Sequence, residues 1–209
     1  MSVVRIRPST QGDLDGACGF YAVVNALQSL EPELDPQELF TQVLKAHLVD
    51  GDPMRFVDGT LRGTIKNIAS RVIKYLDEHY DFYDNKTNEP YRFDVKIPFW
   101  HQDKERTRNQ VLDILKKSNY KAGTVCIIGY SYVDLDNHYA HWSVVKKASD
   151  LGLYLLDSDT EKAVIKFDEI RIDSSQQSNV ARPYNLYSGD IFVISRVPCY
   201  PTSNSAPGL

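Results

Sequence analysis

Residues 11–30, QGDLDGACGFYAVVNALQSL, pass from a turn-rich run to an amphipathic one within a few positions. Gln11 to Gly16 is dominated by Gly and Asp and has no apolar period. From Ala17 to Leu30 there is no Pro and no Gly beyond Gly19, and Phe20, Val23, Val24, Ala26 and Leu27 recur at intervals of three and four. That spacing predicts a buried amphipathic helix with Cys18 in its first turn.

Downstream, Asp35 is placed to cap a second helix that starts at Pro36 and turns Leu39, Phe40, Val43 and Leu44 inward. A third helix is expected from about Thr60 to Tyr80, presenting Leu61, Ile65, Ile68, Ala69, Val72, Ile73 and Leu76, and a fourth from Glu105 to Lys117. Between them, residues 81–103 lose the helical period and gain turn formers, which predicts a loop with one short strand around Arg92 to Ile97. From Gly123 onward the pattern is β. Thr124 to Ile128, Ala140 to Lys146, Leu151 to Leu156, Ala163 to Phe167 and Asp190 to Arg196 are short runs rich in β-branched and aromatic residues. Helices followed by a mostly antiparallel sheet make an α+β fold.

One domain over residues 1–197 is expected from the length of 209 residues and a hydrophobic content of 42%. Residues 198–209, PCYPTSNSAPGL, have little to bury and read as a flexible tail. With 24 Lys plus Arg against 28 Asp plus Glu there is no polybasic face, so nucleic acid and anionic membrane are disfavoured as partners. No apolar run approaches the roughly 20 residues of a membrane span, and the N-terminus lacks the apolar core of a secretory signal. A cytoplasmic protein is the expectation. Three cysteines, Cys18, Cys126 and Cys199, are too few and scattered for a disulfide framework, which suits a reducing compartment.

Cys18 is the thiol placed for chemistry, because unpaired N–H groups and the dipole at a helix start stabilise a thiolate. Gly16 and Gly19 leave room beside it for another backbone or a substrate. Asp13 and Asp15 would oppose a thiolate if they pointed inward, so an imidazolium partner is called for. Read alone, Cys18 is a small hydrophobe on a buried helix, as most free cysteines are. Cys126, mid-strand in TVCIIG, reads as core, and Cys199 falls in the tail.

His141 opens the run HWSVV, whose alternation puts His141, Ser143 and Val145 on one face and Trp142 and Val144 on the other. A histidine at the start of a central strand can face a cleft with its ring held firmly, as a general base must be. Asp157 ends the next apolar run. If the two strands form a hairpin, its carboxylate comes near His141, since antiparallel neighbours lie about 5 Å apart. Asp157 would then fix the His141 tautomer, with Asp159 as the rival for that role. His138 and nearby aspartates are a metal alternative, but residues 138 and 141 of one strand point to opposite faces. His47, His79 and His101 read as surface histidines.

The order Cys18, His141, Asp157, with Gln11 ahead of the cysteine, resembles the papain-like cysteine peptidases, and most of all the compact bacterial branch of bacteriocin-leader and effector-type proteases. The likeness covers the helix around Cys18 and the strands from Ala140 to Asp157. It implies a papain-like fold in which the nucleophile helix packs on a C-terminal antiparallel sheet. It also implies a Cys-His-Asp triad, with Gln11 and the Cys18 N–H as the oxyanion hole, no cofactor and no metal. The implied substrate is a protein or peptide, cut through a thioester. A glutamine deamidase or transglutaminase would use the same residues, and a catalytically inactive protein-binding module is the alternative outside enzymology. The loops Asp81 to Asp103 and Ser131 to Tyr139, with Tyr80, Tyr83, Tyr91, Phe99, Trp100, Tyr130, Tyr132 and Tyr139, are expected to wall the substrate.

Overall fold

The structure is a computed structural model that describes residues 16–49, 51–101, 106–134, 137–158, 163–174 and 181–199, the side chains of 133–138 excepted. Five helices are described: α1 (Cys18–Leu30), α2 (Pro36–Leu48), α3 (Arg55–Asp58), α4 (Arg62–His79) and α5 (Arg108–Leu115). The strands are β1 (Phe82–Tyr83), β2 (Pro90–Lys96), β3 (Thr124–Asp134), β4 (Asn137–Ser149), β5 (Gly152–Leu156), β6 (Val164–Lys166), β7 (Ile170–Ile172) and β8 (Tyr184–Pro198). They form one sheet in the order β1-β2-β8-β3-β4-β5-β6. All neighbours in that path are antiparallel, and β7 pairs parallel with β8. The fold class is α+β. No described helix is long and apolar enough to cross a membrane.

Alternation along the central strands divides the core in two. Val125 and Ile127 of β3, Trp142 and Val144 of β4, and Phe192 and Ile194 of β8 pack against α1, α2 and α4. Their chain neighbours Cys126, Ile128, Val145 and Ile191 point the other way, against Val111, Leu112 and Leu115 of α5. Helix α1 is the centre of the larger cluster, with Phe20, Val23, Val24, Ala26, Leu27 and Leu30 all inaccessible to solvent. Its apolar spacing in the sequence therefore reflects burial on nearly every side.

Several boundaries follow capping chemistry rather than periodicity. Asp35 accepts from the Gln37 N–H at 2.9 Å, with Pro36 opening α2 as its fixed φ allows. Helix α4 begins at Arg62, so Leu61 is its N-cap residue and is 54% exposed instead of turned inward. Helix α5 begins at Arg108 because Thr107 and Gln110 close a reciprocal capping box there. The stretch expected as a loop from Ser131 to Tyr139 is mostly strand, carrying β3 to Asp134 and resuming in β4 at Asn137. Strand β8 starts at Tyr184, six residues ahead of the expected run, and continues through Pro198. The Cys199 N–H donates to the Pro90 carbonyl, so the chain is held to the sheet edge past residue 197.

The turn that presents Cys18 is fixed by close backbone approach. The Gly16 N–H donates to the Phe56 carbonyl at 2.8 Å, and a Cβ on Gly16 would lie 2.4 Å from the Val57 oxygen. A Cβ on Gly19 would meet Ile65 Cδ1 at 2.5 Å and Thr60 Cβ at 2.7 Å. Gly19→Ala should therefore push α1 away from α4 and cost about 1–3 kcal/mol. Gly63 has nothing within 4 Å of its Cβ position, so Gly63→Ala in α4 should be neutral or stabilising by up to about 1 kcal/mol. Thermal or urea unfolding of the two variants checks the opposite signs.

Candidate active site

Cys18 and His141 come from opposite sides of the sheet, and Trp142 connects them. It points away from His141 into the helical layer, where its Nε1–H donates to the Thr60 carbonyl at 2.8 Å. Thr60 in turn packs on Gly19 and reaches the Gly16 carbonyl through Oγ1 at 3.5 Å. The residue beside the histidine thus locks β4 to the residues flanking the cysteine.

On the other side, β4 and β5 form a hairpin with Val144 opposite Leu156. Asp157, the next residue, lies across from Ser143, one diagonal step from His141. Its Oδ1 stands 2.8 Å from His141 Nε2, with the two side chains only 5% and 2% exposed. With Nε2 engaged, Nδ1 is the ring nitrogen left for Cys18, which lies close enough to help raise the His141 pKa, while the Cys18 thiol itself is directed at the Gly16 carbonyl at 4.0 Å. Burial alone would lower the His141 pKa. The hydrogen bond that the ring donates to Asp157, the nearby Cys18 sulfur and the charges of both outweigh burial and raise it from 6.5 to about 10. The raised pKa favours the imidazolium at neutral pH, beside the Asp157 carboxylate.

Tyr130, opposite His141 on β3, touches both partners. Its ring meets the imidazole edge-on at 5.6 Å and its hydroxyl donates to Asp157 Oδ2 at 3.4 Å. Tyr132, Tyr139 and Tyr184 continue this aromatic surface, Tyr132 stacking on Tyr139 at 5.2 Å. The sequence reading placed Tyr130 in a substrate-facing wall and not against His141 and Asp157. Its register opposite His141 becomes legible once β3 is extended through Ser131 to Asp134.

The other aromatics expected in the wall lie elsewhere. Tyr80 donates to Glu38 and Tyr91 to Glu31, just past the C-terminal end of α1, whose 13 residues span roughly 20 Å from Cys18. Trp100 lies under the Arg62 and Lys66 cations, and Phe99 under Arg106. His79 and His101 are exposed. His47 is not a surface histidine. It is 4% exposed, bonds the Asp52 carbonyl through Nε2 and packs on Phe20, because the turn after α2 folds back over it. Cys126 is fully buried, which pushes its thiol up to about 11. Gln11, Asp159 and the His138 side chain lie outside the described residues. Among the described residues no three His, Cys, Asp or Glu side chains converge as a metal site would require.

Comparison with protein-family models, with curated proteins and with solved structures gave no match.

The raised His141 pKa has a sign that can be measured. Because the folded value of about 10 exceeds the unfolded 6.5, the folded chain binds the extra proton in that window. The contribution to stability is full below pH 6.5 and fades as pH rises to about 10. In Asp157→Asn the His141 pKa should fall back toward 6.5 and this alkaline loss should flatten. Melting temperature as a function of pH, wild type against variant, checks it.

Proposed function

We propose that this protein is a cysteine hydrolase of papain-like fold that cleaves a peptide or isopeptide bond through a thioester on Cys18. The observation that carries the reading is the buried 2.8 Å hydrogen bond between His141 and Asp157, with Cys18 near enough to the same ring to help raise its pKa. A structural histidine has no need of both a carboxylate and a thiol at the first turn of a helix. The order of elements supports the fold assignment: a helix bearing the thiol, then a central strand bearing the histidine, then a strand ending in the carboxylate.

In this reading the Cys18 sulfur attacks the substrate carbonyl carbon. The oxyanion receives the Cys18 N–H, at a first turn with no side-chain cap, and the Gln11 side-chain amide. The His141 proton passes to the leaving nitrogen as the C–N bond breaks, leaving a thioester. Water then attacks, His141 takes its proton, and the acid leaves as the C–S bond breaks. Asp157 keeps the ring oriented throughout and is not itself protonated. Attack on a side-chain amide, or capture of the thioester by an amine, would use the same residues.

Intact mass after treatment with a peptidyl thiol-reactive electrophile tests the proposal. One adduct should form, on Cys18, and vanish in Cys18→Ala. An adduct confined to Cys199, the thiol left partly accessible, would refute it. Cys126→Ala should cost stability and leave labelling intact. Gln11→Ala should lower turnover about 100-fold or more with KM little changed. Chelators should change nothing.

A further inference from the structure

We propose that Tyr130 is a positioning residue of this site, acting on His141 through Asp157. The inference rests on the hydrolase reading for its consequence and on the geometry of β3 for its placement. Tyr130 is 2% exposed, so its hydroxyl must find a partner inside the protein, and the Asp157 carboxylate supplies one. Asp157 follows the last residue of β5, where no strand ladder holds it. A donor on Oδ2 while His141 holds Oδ1 restrains the carboxylate and helps keep the acceptor lone pair on Nε2.

The backbone is built to bring Tyr130 there. Pairing of β3 with β8 jumps from Ile128 opposite Ile191 to Tyr130 opposite Leu186, so four residues of β8, 187–190, face the single Gly129. Gly129 permits the close approach, since a Cβ there would lie 2.8 Å from Asp190 Cβ and 3.1 Å from Trp142 Cζ3. Beyond this bulge Tyr130 packs against Tyr132 and Tyr184 at 6.0 and 5.9 Å, which closes the far side of the ring. Burial and the Asp157 charge hold the phenol well above its usual range, so it remains a donor. Among the described residues, Asp157, Cys18 and Tyr130 bear on His141.

A double-substitution cycle tests the proposal, read as the rate at which the peptidyl electrophile modifies Cys18. Tyr130→Phe keeps the ring and its packing and removes only the hydroxyl. It should slow labelling about fivefold in the wild-type background and change nothing further in Asp157→Asn. NMR titration of the His141 imidazole should show its pKa displaced downward in Tyr130→Phe, a readout that packing alone would not move. An equal loss in both backgrounds, no loss in either, or an unmoved titration overturns the proposal. If wild-type Cys18 fails to label, the hydrolase reading falls and the titration alone still decides the role of Tyr130. If Tyr130→Phe does not fold, fluorotyrosine at position 130 keeps the shape and alters only the donor. A His141 titration unmoved by fluorination then counts against the proposal.

Discussion

His141 and Asp157 share a 2.8 Å hydrogen bond in a place where neither side chain is more than 5% exposed. Removing one partner of such a pair leaves the other charged and dry, at a cost of about 3–5 kcal/mol, so the surrounding structure has to hold both. The β4–β5 register sets the distance, since Val144 opposite Leu156 brings Asp157 within one diagonal step of the ring. Trp142, anchored on Thr60, keeps β4 at the right depth against α1. Gly16 and Gly19 let the Cys18 turn pack without side chains in the way. A shift in any of these contacts would strand a buried charge, which ties the stability of the sheet end to the chemistry it can perform.

The parts of this arrangement that were legible in the sequence are those with a local signal. The α1 period, the Asp35 cap and the alternation from His141 to Val145 each depend on residues a few positions apart. So does the position of Asp157 at the end of an apolar run. What escaped was set by tertiary pairing. The run from Tyr184 to Gly189, YNLYSG, falls outside the strand expected from Asp190 to Arg196, and Asn185, Ser188 and Gly189 carry no β signal. In the fold Asn185 is buried and satisfied by the Ser174 backbone, while Gly189 falls in the four-residue bulge opposite Gly129. Tyr130 was assigned to a loop wall for the same reason, since its partner Asp157 is 27 positions away. His47 looked like a surface residue on an amphipathic helix, and only the turn at Gly51 and Asp52 buries it.

The aromatic surface narrows what the site can accept. Tyr80 and Tyr91 serve carboxylates at the far end of α1, and Trp100 and Phe99 serve cations near Arg62 and Arg106. The tyrosines left beside His141 are Tyr130, Tyr132, Tyr139 and Tyr184, with Tyr139 44% exposed. Tyrosine combines an apolar face with a polar rim. An approaching chain would therefore meet an apolar face carrying hydroxyls on the histidine side of Cys18. In the proposed hydrolase reading, peptide hydrolysis, side-chain deamidation and amine transfer would share a thioester and differ in what arrives across this surface.

The central claim is that Cys18, His141 and Asp157 act as one unit that activates the thiol. Its most direct test needs no substrate: the alkylation rate of each cysteine by a small neutral reagent near neutral pH, in wild type and in His141→Ala. The account predicts that Cys18, although buried, reacts faster than the partly exposed Cys199, and that this advantage disappears when His141 is removed. A Cys18 that reacts no faster than Cys199, or one whose rate is indifferent to His141, would contradict it.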